Sequence, residues 1–354
     1  MPVDGGRPRK RILIVSARIG AGHDGAARAI ATRLAEHDVE HADFLDLLPG
    51  RLGQRLCDAY HRQLSSAPRT WNWLLTGLGT PGMAALAIRL SWLAGDNLLA
   101  RADRGHDLVV STYPLASHAM ARLRATGRST TPFAVYLTDP WVHRLSVCPT
   151  ADLHIAANPT AAAMAQRFGA SWVEIAAPVV APMFRPAVDT AERGAARDTF
   201  GLPDGRRLAL VVAGSWGVGR VAEIARDVAA SGTAVPVVVC GRNDDLLHRL
   251  RQAGYRHVFG WVDDMPGLIR ACDVVLQNAG GLTTYEALAS GLPVLTYLSL
   301  PGHGKANAKV LDREGIVPWV RNATTLPTAL TGPPPAPLTG QDPGVLLDKL
   351  LAVT

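Results

Sequence analysis

The chain has 354 residues, 48% hydrophobic and 19% charged, which is enough for two domains that each bury a core. Its 36 Lys and Arg against 30 Asp and Glu leave a formal charge of +6, a mild bias towards an anionic partner. The basic residues are scattered rather than clustered, so nucleic acid is not expected. The cysteines Cys57, Cys148, Cys240 and Cys272 have no metal-ligand spacing and read as isolated, mostly buried thiols. No window reaches ~18 uninterrupted apolar residues, and the N-terminal MPVDGGRPRKR lacks the apolar core of a signal peptide. The expectation is a cytoplasmic protein.

Apolar, β-branched runs alternate with helical stretches, the pattern of βαβ units and parallel sheets. The first half predicts strands at Ile12–Ser16, Val39–Leu45, Leu108–Ser111, Phe133–Thr138, Leu153–Ala156 and Val173–Ile175. The second half predicts Leu208–Ala213, Val235–Cys240, His257–Phe259, Val274–Gln277 and Val294–Thr296. Between them, residues 177–186 hold three prolines and no helical period, a natural linker. The expected organisation is one Rossmann-like domain over 1–180, a second over 187–330 and a tail over 331–354. The cleft between two such sheets places ligands at their C-terminal strand ends.

After the first strand, Gly20-Ala21-Gly22-His23-Asp24-Gly25 reads literally as G-x-G-x-x-G, with Asp43 or Asp46 about twenty residues on. A lone match of this kind is weak, and a tight strand-to-helix turn explains it as well. His23 stands at the helix start, where an imidazole serves as a general base near neutrality or simply caps the helix. Farther on, residues 69–99 are apolar and Trp-rich, with Arg69 and Arg89. As a helix, Leu86, Leu90, Leu93 and Trp92 form an apolar surface beside cations, suited to a lipid interface or to burial under the sheet.

The second half is more specific. After Val274–Gln277, the turn Asn278-Ala279-Gly280-Gly281-Leu282-Thr283-Thr284 leads into a helix with Glu286 expected in its first turn. Gly280 and Gly281 leave room for a ligand, free helix amides with the Thr283 and Thr284 hydroxyls suit a diphosphate, and Glu286 suits a ribose diol. A helix cap with Glu286 complementing the dipole is the plain alternative. Gly214 and Ser215 offer amides to the distal phosphate. Arg242 offers a cation, and the Val262–Met265 backbone a uracil-reading edge.

The block GWVDDMPGLIRACDVVLQNAGGLTTYEALASGLPV, Gly260–Pro293, resembles the donor-binding domain of GT-B glycosyltransferases. It looks most like the monogalactosyldiacylglycerol synthase and processive diacylglycerol glucosyltransferase group, with MurG more distant. The resemblance takes in the Gly20–His23 loop, Thr138-Asp139 with His143, and Leu300–Asn307. It implies an α/β GT-B fold of two Rossmann-like domains facing across a cleft. It implies His23 as base with Asp139 in support, and Gly20, Gly22 and His143 on the acceptor side. Glu286 falls to the ribose, and His303, Gly304, Lys305 and Asn307 to the donor sugar. No cofactor and no metal are implied, with a UDP-sugar as co-substrate and a lipid or lipid-like acceptor. An anionic membrane surface follows as partner, with the protein peripheral on the inner face of the cell membrane. One departure stands out: the sugar loop commonly reads Pro-Gly-Gln-Glu, whereas here it reads Pro301-Gly302-His303-Gly304-Lys305. Other readings are a UDP-sugar 2-epimerase, a glycosyltransferase with a soluble acceptor, an NAD(P) dehydrogenase built on the first loop, and a binding protein without activity.

Overall fold

The computed structural model describes residues 8–19, 21–66 and 80–353. Two six-stranded parallel sheets organise it, their inner strands short apolar runs buried on both faces by helices and their edge strands partly exposed. The first sheet is built from β1 (Arg11–Ser16), β2 (Asp38–Asp43), β3 (Leu108–Ser111), β4 (Phe133–Tyr136), β5 (Leu153–Ala156) and β6 (Val173–Ile175). Its order is β2-β1-β3-β4-β5-β6. The second uses β7 (Leu208–Val212), β8 (Val235–Val239), β9 (Val258–Phe259), β10 (Val274–Gln277), β11 (Val294–Tyr297) and β12 (Trp319–Val320), ordered β12-β11-β10-β7-β8-β9.

Strand order reverses between β1 and β3 in the first sheet and between β7 and β10 in the second. Loops leaving neighbouring strands at such a point diverge and leave a crevice. The loop after β1 therefore faces one crevice, and the loops 213–219 and 278–281 face the other.

Three expectations need adjusting. Val39–Leu45 ends as a strand at Asp43, whose side chain accepts from Leu45 N at 2.7 Å and turns Phe44–Leu47 into a 3-10 turn. Phe133–Thr138 ends at Tyr136, because Thr138 and Asp139 already belong to the cleft wall. β12 was not foreseen, since two residues carry no period to read.

The proline linker belongs to both cores rather than to solvent. Val179 packs with the first sheet and its N–H donates to Tyr136 Oη at 2.9 Å, while Val180 and Phe184 pack with the second. The terminal helix Pro343–Val353 returns to the first sheet, where Leu346, Leu347, Leu350 and Leu351 cover Ile12, Ile14 and Ile30. Arg33–Asp342 and His37–Asp348 pin it to the first helix, Ala21–Arg33, and to the turn after it. All four cysteines are buried, and none of them forms a disulfide.

Candidate functional site

A cavity of about 450 Å³ opens between the halves. From the second sheet it is lined by Gly214, Ser215 and Trp216 after β7, by Trp261, Val262, Asp263 and Met265 after β9, and by Asn278 to Thr284 with Glu286 after β10. From the first sheet, Ala21, Gly22, Gly25 and Arg28 of the first helix close it. The linker adds Phe184.

The chemistry is concentrated at the start of helix Leu282–Ala289. Gly281 is its N-cap and makes no side-chain cap, so the Leu282 and Thr283 amides keep their hydrogen-bonding capacity for an anion, while Thr284 N donates to Gly281 O at 3.0 Å. A Cβ placed on Gly281 meets nothing within 4 Å, leaving the turn open to the cavity. Glu286 follows on the same wall, where burial pushes its carboxyl up to about 7. The Thr283 hydroxyl and the charge of Arg28 pull the other way. In its ionised form this carboxylate is an acceptor for two hydroxyl donors at once.

His23 lines neither this cavity nor the small pocket formed by Thr112, Tyr113, Leu137, Thr138, Asp139 and Trp141, but its neighbour Gly22 borders the first and its partner Thr112 the second. Its Nδ1 sits 2.6 Å from the Thr112 carbonyl oxygen, which only accepts. That contact puts the proton on Nδ1 and leaves Nε2 with a lone pair. Burial lowers the His23 pKa below its ordinary value, against the pull of Asp139, the Thr112 carbonyl and Asp24, so the neutral base form prevails. Asp139 is held by the other half of the molecule: His303 Nε2 is 3.1 Å away and Asn307 Nδ2 3.5 Å. Burial opposes its charge, but His303, His23 and Asn307 together hold its carboxyl below the ordinary carboxylate value. Asn307 also donates to Ala279 O at 2.9 Å and accepts from Trp141 N at 2.9 Å, stitching the two sheets together at the site.

No family model matches the chain. Over 322 residues it is 25% identical to a processive diacylglycerol beta-glucosyltransferase of Bacillus subtilis (strain 168), covering 86% of this chain and 82% of that one. A protein of the same name from Bacillus cereus (strain ATCC 14579) is 28% identical over 228 residues, covering 61% and 56%. Among solved structures, the glycosyltransferase SnogD of Streptomyces nogalater superposes with TM-score 0.60 at 18% identity, over 98% of this chain and 99% of that one. Acinetobacter baumannii MurG gives 0.52 at 20%, over 97% and 91%. Anabaena HepE in complex with UDP gives 0.57 at 16%, over 90% and 88%. The chain has the GT-B glycosyltransferase fold. It is a relative of the named diacylglycerol glucosyltransferases.

Within this GT-B frame several expected residues sit elsewhere than the sequence suggested. Glu286 is the fifth residue of its helix, one turn beyond the first, because the helix begins only at Leu282. Thr283 and Thr284 both line the cavity, but Thr284 is fully buried and its hydroxyl has no hydrogen-bond partner. Arg242 is not a cavity residue: its guanidinium stacks 4.4 Å over the Trp261 ring at the rim. Gly22, expected on the acceptor side, borders the same cavity as Gly281 and Glu286. His143 caps a turn, its Nδ1 accepting from Leu145 N at 3.1 Å.

The sugar-loop segment forms helix His303–Arg313. Its His303 and Asn307 grip Asp139, Lys305 is exposed, and none of the three lines the cavity. Gly304 has a packing reason: a Cβ there would sit 2.8 Å from Asn278 O and 2.8 Å from Leu300 Cβ, so no acidic side chain fits. Gly20 and the Trp71–Leu78 stretch with Arg69 lie outside the described residues.

Sequence reasoning missed Arg28, although it stands one helical turn after Gly25. It also missed the cross-cleft use of His303, which needed three-dimensional proximity to be seen.

Proposed function

We propose that the protein transfers a hexose from a UDP-sugar to a hydroxyl of a lipid acceptor, with inversion and without a metal. The observation that carries this reading is the uncapped helix start at Gly281 joined to Glu286 in one cavity, whose lining also includes Gly22, the residue before His23. Glu286 holds the ribose diol, and the amides of residues 281–283 take the negative charge that grows on the leaving diphosphate. His23 Nε2 accepts the acceptor's hydroxyl proton while Nδ1–H stays on the Thr112 carbonyl. Asp139 supports the imidazolium that forms. The acceptor oxygen bonds to the anomeric carbon as the bond from that carbon to the diphosphate oxygen breaks, releasing UDP.

Support for a lipid acceptor comes from the names of the relatives and from helix Pro81–Ser91 with the turn after it. Leu86, Leu90 and Leu93 are 57%, 50% and 48% exposed at the i, i+4, i+7 spacing of one helix face. Trp92 beside them lies under the Arg122 guanidinium at 4.7 Å. No helix among the described residues is long and apolar enough to cross a membrane, so this reading has the face lying on a bilayer surface.

The test is UDP release from UDP-glucose, UDP-galactose and UDP-N-acetylglucosamine, with and without diacylglycerol in anionic vesicles and with EDTA throughout. Release that needs the vesicle lipid is expected. A folded protein that releases UDP from none of the three overturns the reading, and a changed sugar epimer without transfer would indicate an epimerase instead.

A further inference from the structure

The third glycine of the first loop, Gly25, is explained by the other half of the molecule. A Cβ there would lie 2.2 Å from Leu282 Cδ2, so helix Ala21–Arg33 rests directly on the first residue of helix Leu282–Ala289. Three residues after Gly25 comes Arg28 on the same helical face, and four residues after Leu282 comes Glu286 on its own. The two pairs therefore oppose each other, and both Arg28 and Glu286 line the cavity. Among the lining residues the charged ones are Arg28, Asp263 and Glu286, which makes Arg28 the cation of the cavity. Asp263 is engaged by Trp261 Nε1 at 2.9 Å, and Arg242 is stacked on Trp261 at the rim. The Arg28 guanidinium makes no hydrogen bond or ion pair with any described residue, yet its charge is felt at Glu286.

We propose that Arg28, carried by the first sheet's helix, is a binding residue for the diphosphate of the nucleotide held by the second sheet. The inference rests on the nucleotide-sugar reading above and adds to it a donor site built from both halves. A guanidinium presents a planar fork that matches phosphate oxygens two at a time. Placed opposite the uncapped amides of the Gly281 turn, it meets the diphosphate from the far side. The leaving group is then neutralised by a cation and a helix start belonging to different sheets. The Gly25–Leu282 contact sets how near that cation comes.

Isothermal titration of the full chain with UDP, UMP and uridine tests this. Arg28→Ala is expected to weaken UDP about tenfold or more, the range for one charge-assisted contact. Uridine should change by less than about twofold, with UMP in between, and Arg28→Lys should recover part of the UDP affinity. Equal losses for all three ligands would indicate a structural effect and overturn the proposal, as would unchanged UDP affinity. A wild-type chain that binds none of the three overturns the nucleotide-sugar reading itself, an outcome distinct from UDP binding that ignores Arg28.

Discussion

The Asp139 carboxylate and the His303 imidazole meet 3.1 Å apart across the cleft, one carried by the loop after β4 and the other by the helix after β11. Asp139 raises the His303 pKa, against burial. A raised histidine contributes stability that is present below its unfolded pKa of about 6.5 and is lost as pH climbs through the folded value. The gap in Tm between wild type and His303→Ala should therefore be widest near pH 6 and shrink towards pH 9. Calorimetry over that range checks it, and a gap independent of pH would assign the pair a packing role alone.

His23 is held below its ordinary pKa, so its base form survives to mild acidity. The acidic limb of kcat/KM should fall below pH 6.5. Asp139→Asn removes a charge that raises the His23 pKa, and should move the limb lower still while reducing kcat. His23→Ala should cut turnover by roughly 10²- to 10⁴-fold and leave UDP affinity within about twofold. Rate profiles on saturating donor, with titrations alongside, separate the two effects.

Glu286 is pushed up to about 7, so the empty site is partly protonated at neutrality. A ribose diol donates to the ionised carboxylate, and UDP affinity should rise as pH goes from about 5.5 through 7 and then level off. Glu286→Gln should bind more weakly and lose this slope. Titration at four pH values shows either the slope or its absence.

Gly304 is confined by Asn278 O and Leu300 Cβ. Gly304→Ala should cost about 1 to 3 kcal/mol by overpacking, and Gly304→Glu more. Urea midpoints measure both. Restoring the acidic residue of the related loop should thus lower stability without extending the choice of donor sugar.

Leu86→Asp together with Leu90→Asp changes two exposed side chains away from the cavity. Co-sedimentation with anionic vesicles should drop at least fivefold while UDP binding stays level. Loss of both would mean that the changes had damaged the fold.

The strand runs were readable because a parallel strand buried on both faces leaves an unbroken apolar string, as Val274–Gln277 and Phe133–Tyr136 do. The Gly280–Glu286 turn was readable for a similar reason: its glycines, hydroxyls and carboxylate stand within seven residues. Arg28, His303 and Asn307 were not. Arg28 stands over 250 residues from Glu286, and His303 and Asn307 over 160 from Asp139, so no local pattern links the partners. Gly25 misled in a different way. It completes a dinucleotide fingerprint by letter, while its missing side chain makes room for Leu282.

The proline linker and the returning tail run beside each other where they pass between the sheets. Ala176 bridges Gln341 in parallel, Ala177 N–H donates to Gln341 O at 2.9 Å, and Gly340 is so close to Ala177 that a Cβ would come within 2.6 Å of its nitrogen. Two adjoining crossings tied to each other by hydrogen bonds join the halves by a doubled cord where one would be a single thread. Cutting the tail near residue 338 would remove one cord and, with it, the leucines that cover Ile12, Ile14 and Ile30.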